Sequence, residues 1–512
     1  MKKLPIGIQN FREIIENGYV YVDKTKDYHN LIQNKYCFLS RPRRFGKSLM
    51  LSTLKEIFKG EKKLFKGLWI ENKIDWNIHP VIHLDFNLIT HHLDIETFER
   101  TLLHALKSSA LEYNISIDEE DPKNFFQQLV TALSKKAKVV LLVDEYDKAV
   151  IDYIDAPDKA GTNKDYIASF YEAIKGLDAC FRFVMLTGVT KFSKVSVFSK
   201  LNNLRDITFT DTYSTMLGIR EEELYANFEP HLKQSADALD IKDDELKSKI
   251  RTWYNGYSWN GRDKLYNPFS ILSFFAESSF NNYWFETGTP TFLIELIRKN
   301  HFLLPDLEGI EVENYSFGSY GHDNLEPVPL LFQTGYLTIK EKKKGFSDEM
   351  LYRLGLPNRE VKRSLLNNIL GYYTGKGVSH AKPPYLKMLQ SLASEDFESF
   401  IHFLTAAFAS LPYNLYPAKE DYYHSIFYLI LVMLGAEIDA EILTDKGRMD
   451  AAIHFSDKIY IVEFKTGDVK KGMQQIRNRR YWEKFGLRNK KILLLAVGGF
   501  DEKKIEYLIE HP

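Results

Sequence analysis

Tyr36-Cys-Phe-Leu-Ser40-Arg-Pro-Arg-Arg-Phe-Gly46-Lys47-Ser48-Leu49-Met50 decides how the chain is read. An apolar run of strand length ends in a short polar loop, and a helix-compatible stretch follows. A loop so placed can surround phosphates with backbone N–H groups at a helix N-terminus. A lysine that reaches the terminal phosphates and a hydroxyl that ligates magnesium complete the chemistry. Gly46, Lys47 and Ser48 supply those parts, and Arg43, Arg44, Phe45, Gly46, Lys47, Ser48 and Leu49 make up the candidate phosphate cradle. The eight-residue pattern opens on glycine, whereas Arg41 stands at that position. The loop is therefore a variant, expected to turn without the usual permissive residue.

About a hundred residues downstream, Val139-Val-Leu-Leu-Val-Asp144-Glu145 ends an apolar run in two carboxylates. At the C-terminal end of a strand, Asp144 would join Ser48 in holding the phosphate-bound magnesium, and Glu145 would orient and deprotonate the attacking water. A further run closes with Leu186-Thr187, which sets a hydroxyl where it could bond the γ-phosphate or that water. Arg205 is a candidate for the arginine that stabilises transition-state charge, against the competing reading of a surface arginine in an ion pair. Arg43 and Arg44 could grip phosphates instead.

Five runs read as strands: Tyr36 to Ser40, Pro80 to Phe86, Lys138 to Asp144, Phe181 to Thr187 and Ile207 to Phe209. Helix-compatible stretches such as Ile95 to Tyr113 and Asn124 to Lys136 separate them, the alternation of a parallel α/β sheet. This pattern sets a first domain at residues 1–220. Residues 221–390 lack the alternation and read as a mostly helical connector. Its run Trp253-Tyr-Asn-Gly-Tyr-Ser-Trp-Asn-Gly261 has the punctuation of loops held down by large rings. Residues 391–512 read as a compact α/β unit: a helix from Ala406 to Gly435, strand alternation from Arg448 to Lys465, a helix from Lys470 to Phe485, and a strand from Lys491 to Val497.

Composition narrows the classes. The 68 basic and 69 acidic residues cancel to a formal net charge of −1, so any nucleic-acid surface must be local. Hydrophobic content of 44% and charged content of 27% exclude a fibrous or largely disordered chain. Two cysteines, Cys37 and Cys180, exclude a disulfide scaffold and fit a reducing compartment. The apolar stretch Ile426 to Ala436 is too short to cross a membrane and reads as a core helix. No signal-peptide pattern opens the chain, and a cytoplasmic location without membrane partners is expected. His83, His91, His92 and His104 show no zinc-site spacing.

The stretches Phe38-Leu-Ser-Arg-Pro-Arg-Arg-Phe-Gly-Lys-Ser-Leu49, Tyr21-Val-Asp-Lys-Thr25 and Asp144-Glu145-Tyr146-Asp147 resemble the AAA-ATPase-like domain family of bacterial proteins. Tyr266-Asn-Pro-Phe-Ser270, Gln333-Thr-Gly-Tyr336 and Pro357-Asn-Arg-Glu360 extend the resemblance across nearly the whole chain. It implies ATP binding and, by fold, magnesium. Members commonly carry a C-terminal nuclease-like domain of the PD-(D/E)XK superfamily.

The C-terminal hairpin is legible without the family. Strands Arg448 to Phe455 and Lys458 to Lys465 flank Ser456-Asp457, a pair suited to a tight turn. A turn centred there places Asp450 opposite Glu463 on one face. Directly opposed like charges about 5 Å apart destabilise a ladder unless something positive sits between them, and a divalent metal is the natural candidate. Lys465 projects from the same face, close enough to position or deprotonate a water attacking a phosphodiester. Glu441 is a candidate third carboxylate. The arrangement resembles the PD-(D/E)XK core, with Met449 in the place of its proline and with Gln475 and Tyr481 matching its usual Gln-Ile and Tyr positions.

Residues 465–491 hold ten Lys or Arg against two Asp or Glu, a local basic face suited to phosphates. Tyr481, Trp482 and Phe485 either stack on bases or pack inside. The expected protein is thus an ATPase coupled to a magnesium-dependent nuclease, manganese also being suited to its metal site, with DNA the favoured target. The alternative is an ATP-responsive nucleic-acid-binding or signalling switch that does not cut. An arginine supplied by a neighbouring subunit would complete an ATP site of this kind, which leaves a homo-oligomer open.

Overall fold

The computed structural model describes residues 1–91, 94–153, 156–190, 203–284, 307–313, 317, 327–345, 349–365, 382–409, 427, 431, 437–444, 447–488, 490–500 and 504–512. The chain forms two compact units, Met1–Leu296 with Gly309–Val361, and Ile297–Glu308 with Lys362–Pro512.

The first unit is built on β1 (Tyr36–Ser40), β2 (Val81–Asp85), β3 (Val139–Asp144), β4 (Phe181–Gly188) and β5 (Arg205–Asp206). All pairings are parallel, in the order β2-β3-β4-β1-β5. Every residue of β1 and β3 is buried, as a sheet covered on both faces requires. One face packs Phe98 and Leu102 of the Ile95–Glu112 helix and Phe126 and Leu129 of the Pro122–Ser134 helix. The other packs Met50, Leu51 and Leu54 of the Lys47–Phe58 helix. Because the strands run one way, Ser40, Asp144 and Gly188 gather at a single edge, where ligands of open α/β sheets bind. The fifth strand differs from expectation. It spans Arg205–Asp206 and precedes the apolar run Ile207 to Phe209, of which Ile207 still bonds the Phe38 carbonyl through its N–H and puts its side chain in the core.

The helices Glu221–Leu239, Asp243–Tyr254 and Pro268–Glu277 share a core with Val20. Lys24, from the stretch Tyr21 to Thr25, donates to both carboxylate oxygens of buried Glu223, at 2.6 and 2.8 Å. This part also holds an antiparallel sheet in the order β6-β8-β7, formed by Glu311–Glu313, Thr338–Lys344 and Met350–Gly355. The reading as mostly helical missed it, since β7 carries charges along most of its length and lacks an apolar alternation.

In the second unit β9 (Glu437–Thr444), β10 (Gly447–His454), β11 (Lys458–Phe464), β12 (Lys491–Gly498) and β13 (Glu506–Glu510) form a mixed sheet in the order β13-β12-β11-β10-β9. β11 and β12 are parallel, joined through the Val469–Arg479 helix. That helix is shorter than the expected Lys470 to Phe485. It ends at Arg480, a left-handed residue with φ 47°, and a 3₁₀ segment Tyr481–Arg488 follows. The outer strands β9 and β13 were not foreseen. Most of the expected helix from Ala406 to Gly435 lies outside the described residues, as does the stretch Ile426 to Ala436 apart from Phe427 and Leu431; the start of the helix falls in the Phe397–Ala409 helix.

Candidate functional site

The phosphate loop leaves β1 at Ser40 and enters the Lys47–Phe58 helix at Gly46. Arg41 is not among the left-handed residues; the turn falls instead at Arg44, with φ 67°, and at Gly46, with φ 91°. The missing first glycine is thus not needed at residue 41. Lys47 is buried, and its Nζ donates to the carbonyls of Arg41 at 3.0 Å and Pro42 at 3.1 Å. Burial pushes its pKa down, opposed by the charges of Glu145, Asp144 and Asp147.

Asp144 ends β3 and accepts from the Thr187 hydroxyl of the adjacent β4 at 2.6 Å. The Thr187 hydroxyl thus orients the Asp144 carboxylate. Glu145 follows in a left-handed conformation, φ 51°, and lines a cleft of about 410 Å³ together with Arg43, Arg44, Lys47, Ser48 and Leu49. Asn87 and Lys148 also face this cleft. Asp147, given no role from the sequence, is buried and accepts from the Thr190 N–H at 2.6 Å and its hydroxyl at 2.7 Å. Burial pushes its pKa up to about 6 against those bonds. A Cβ at Gly188 would stand 2.5 Å from Asp147 Oδ1, so only glycine admits this arrangement. Arg205 is not brought to the site. It pairs with Cys37 near the start of β1, at the end of the strand away from the loop, and donates to Asn34.

Five consecutive loop residues are each held by the region after residue 250. The Arg41 guanidinium, fully buried, lies 4.1 Å over the Trp259 ring and donates to the carbonyls of Ser40, Thr208 and Tyr213. A Cβ on Gly335, φ 92°, would stand 2.8 Å from Pro42 Cβ, so the two backbones meet closely. The Trp284 indole donates to the Arg43 carbonyl at 3.3 Å. Arg44 stacks 3.8 Å over Phe269, and Phe45 meets Tyr257 and Trp259 edge-on. The density of rings in residues 253–284 was the available signal. Nothing in it named the loop as their target.

In the second unit the hairpin register is the expected one. Ala451 pairs with Val462 and His454 with Ile459, and the Phe455 N–H closes the Ser456-Asp457 turn on the Lys458 carbonyl. Asp450 thereby comes beside Glu463. Asp450 is half-buried and accepts from the Phe464 N–H at 2.7 Å. Glu463 is 1% exposed; burial first, and the Asp450 charge second, push its carboxyl up to about 8, while Lys465 opposes them. Lys465 Nζ donates to Glu463 Oε1 at 3.3 Å, and Oε2 has no partner among the described residues. Oxygen donors with one buried lone carboxylate oxygen suit a hard divalent cation such as magnesium or manganese. Among the described residues no three His, Cys, Asp or Glu side chains gather for a metal. The pairs Met449 with Ile442 and Ala451 with Ala440 leave Glu441 opposite Asp450 in register, its side chain lying outside the described residues.

Gln475 donates to the Tyr481 hydroxyl at 3.3 Å, which donates to the Arg448 carbonyl at 2.5 Å. These two residues tie the helix to the hairpin, two positions before Asp450. Tyr481 and Phe485 are core residues, which settles their aromatic role as packing. Of the basic segment, Arg477 is paired with Glu510, Arg480 with Glu483 and Lys491 with Glu395, whereas Lys470 and Lys471 are exposed.

A family model described as predicted AAA-ATPase matches residues 5–198, and one of the PD-(D/E)XK nuclease superfamily matches residues 418–508. The chain is 38% identical over 511 residues to an uncharacterized protein in the vnfD 5′ region of Azotobacter chroococcum mcd 1, covering 97% of this chain and 96% of that protein. No solved structure matches it.

Proposed function

The chain belongs to the family of that Azotobacter protein and joins a predicted AAA-ATPase domain to a PD-(D/E)XK nuclease-superfamily domain, and from this premise we propose an ATPase coupled to a metal-dependent nuclease acting on DNA. The observation that carries the nuclease reading is the buried Oε2 of Glu463, without a partner among the described residues, beside Asp450 and Lys465. A divalent cation there would offset the carboxylate repulsion and polarise a phosphodiester oxygen. Asp450 and Glu463 would hold it, with Glu441 as third ligand. Lys465, within reach of Glu463, would position the attacking water and steady the charge that develops on the phosphate.

At the other site, Ser48 and Asp144 would hold the magnesium of ATP, with Lys47 leaving the loop carbonyls for the terminal phosphates. Glu145 would orient the water and take its proton. Arg43, lining the cleft, is the proposed cation for the transferring phosphate. We place the three-part division at 1–220, 221–390 and 391–512, and a cytoplasmic location fits a chain in which, among the described residues, no helix is long and apolar enough to cross a membrane.

The test is cleavage of linear and circular DNA with magnesium or manganese, with and without ATP, beside Asp450→Ala. Cleavage that ATP alters and the variant lacks supports the coupled enzyme. A second reading, an ATP-responsive switch that grips nucleic acid without cutting, draws on the raised Glu463 carboxyl, which burial and the Asp450 charge bias toward the neutral acid when no cation is bound. ATP-sensitive DNA binding with no cleavage under any condition would favour it.

A further inference from the structure

Glu360 is 0% exposed and belongs to no site described above. Its Oε1 accepts from the Trp284 backbone N–H and its Oε2 from the Ser270 hydroxyl, both at 2.8 Å. Trp284 in turn donates its indole N–H to the Arg43 carbonyl, and Ser270 follows Phe269, the ring under Arg44. One carboxylate thus holds the two residues whose neighbouring groups hold the two central residues of the phosphate loop. Burying an ionisable group costs more than burying an apolar one of its size unless its hydrogen bonds and charge partners offset the desolvation. Burial pushes this carboxyl up to about 7 in spite of the donors from Trp284 and Ser270 and a further one from the Tyr283 backbone N–H, so its local environment disfavours the charge.

We propose that Glu360 is a positioning residue for ATP turnover: through Trp284 and Ser270 it sets the backbone of Arg43 and Arg44 in the phosphate-binding conformation. The inference rests on the ATP reading of that loop. Oriented backbone groups lose their effect when displaced by about 1 Å, so the consequence should appear in ATP affinity.

The experiment compares full-length Glu360→Ala, Glu360→Gln and Trp284→Phe with wild type and Lys47→Ala. It measures the Kd of ATP, the kcat and KM of turnover, and Tm. Glu360→Ala is expected to raise Kd and KM by about tenfold or more per folded molecule. Glu360→Gln should stay within about threefold, since its amide can accept from Trp284 and donate to Ser270. Trp284→Phe, which removes the indole N–H and keeps a ring, should raise KM by about three- to tenfold. A lowered Tm with unchanged Kd would mean a purely structural role and overturn the proposal. If Glu360→Ala does not fold, an unchanged KM in Trp284→Phe overturns it. Absence of ATP binding by wild type would sink the ATP reading itself, and this inference with it. Binding by wild type that Glu360→Ala leaves intact would remove the positioning role alone.

Discussion

At Glu463 burial and a neighbouring charge both favour the neutral acid, yet a metal site requires the anion. With the folded pKa raised from the ordinary value to about 8, the folded state holds a proton that the unfolded state releases first. Stability from this group is therefore full below the ordinary carboxyl range and is lost as pH rises through about 8. Magnesium should reverse the trend. The Tm gain it gives is expected to be larger at about pH 9 than at about pH 6, and to vanish in Glu463→Ala, as read by thermal melts with magnesium against a chelator. Glu463→Ala should also abolish DNA cleavage while ATP turnover stays within about twofold, the two sites belonging to different units. At Glu145 the expected outcome of Glu145→Gln is retained ATP binding with turnover down by about 10²-fold or more, checked by phosphate release. Lys47 and Glu463 could be singled out as candidates from residue type and spacing. Asp147 could not, because its partners, the N–H and hydroxyl of Thr190, come from a strand end 43 residues away.

The elements show why the hairpin was readable and the loop only half so. Hairpin register follows from turn position by arithmetic, because side chains alternate with a period of two. The helix above it was not set by such a rule. Val469–Arg479 passes so close that a Cβ on Gly472 would lie 3.3 Å from Ala496 Cβ, 3.4 Å from Lys465 Cγ and 3.7 Å from Glu463 Cγ. Gly472→Leu is expected to push the helix off β11 and β12, costing about 1–3 kcal/mol by denaturant melts and most of the nuclease activity. Gly447, φ 135°, admits no Cβ without moving Arg479, whose Nη1 would stand 1.9 Å from it. The phosphate loop also departs from its usual pattern for a reason found in other elements. Trp259 and Phe269 hold the planes of Arg41 and Arg44, so the conformation is imposed by stacking as well as by glycine freedom.

For the whole molecule, a net charge of only −1 with a lysine-bearing helix beside the carboxylates predicts DNA affinity that is local and salt-sensitive. Lys470→Ala with Lys471→Ala should weaken binding uniformly across sequences and lower the salt slope by about 1–2 counterions, measured by fluorescence anisotropy over a salt series. By itself the sequence determined the α/β class, the strand that carries the loop, the paired carboxylates of both sites and the hairpin register, since each rests on periodicity or short spacing. It left β5, the sheet β6-β8-β7, and the outer strands β9 and β13 misplaced or unseen, because short, charged or edge strands owe their place to the neighbour they pair with. Only the tertiary structure decided what surrounds Arg41 to Phe45, what Thr187 and Glu360 hold, and that Arg205 lies away from the loop. Those relations join residues far apart in the chain, Arg43 and Trp284 across 241 positions among them. Packing of the folded chain, which no local pattern encodes, brings them together.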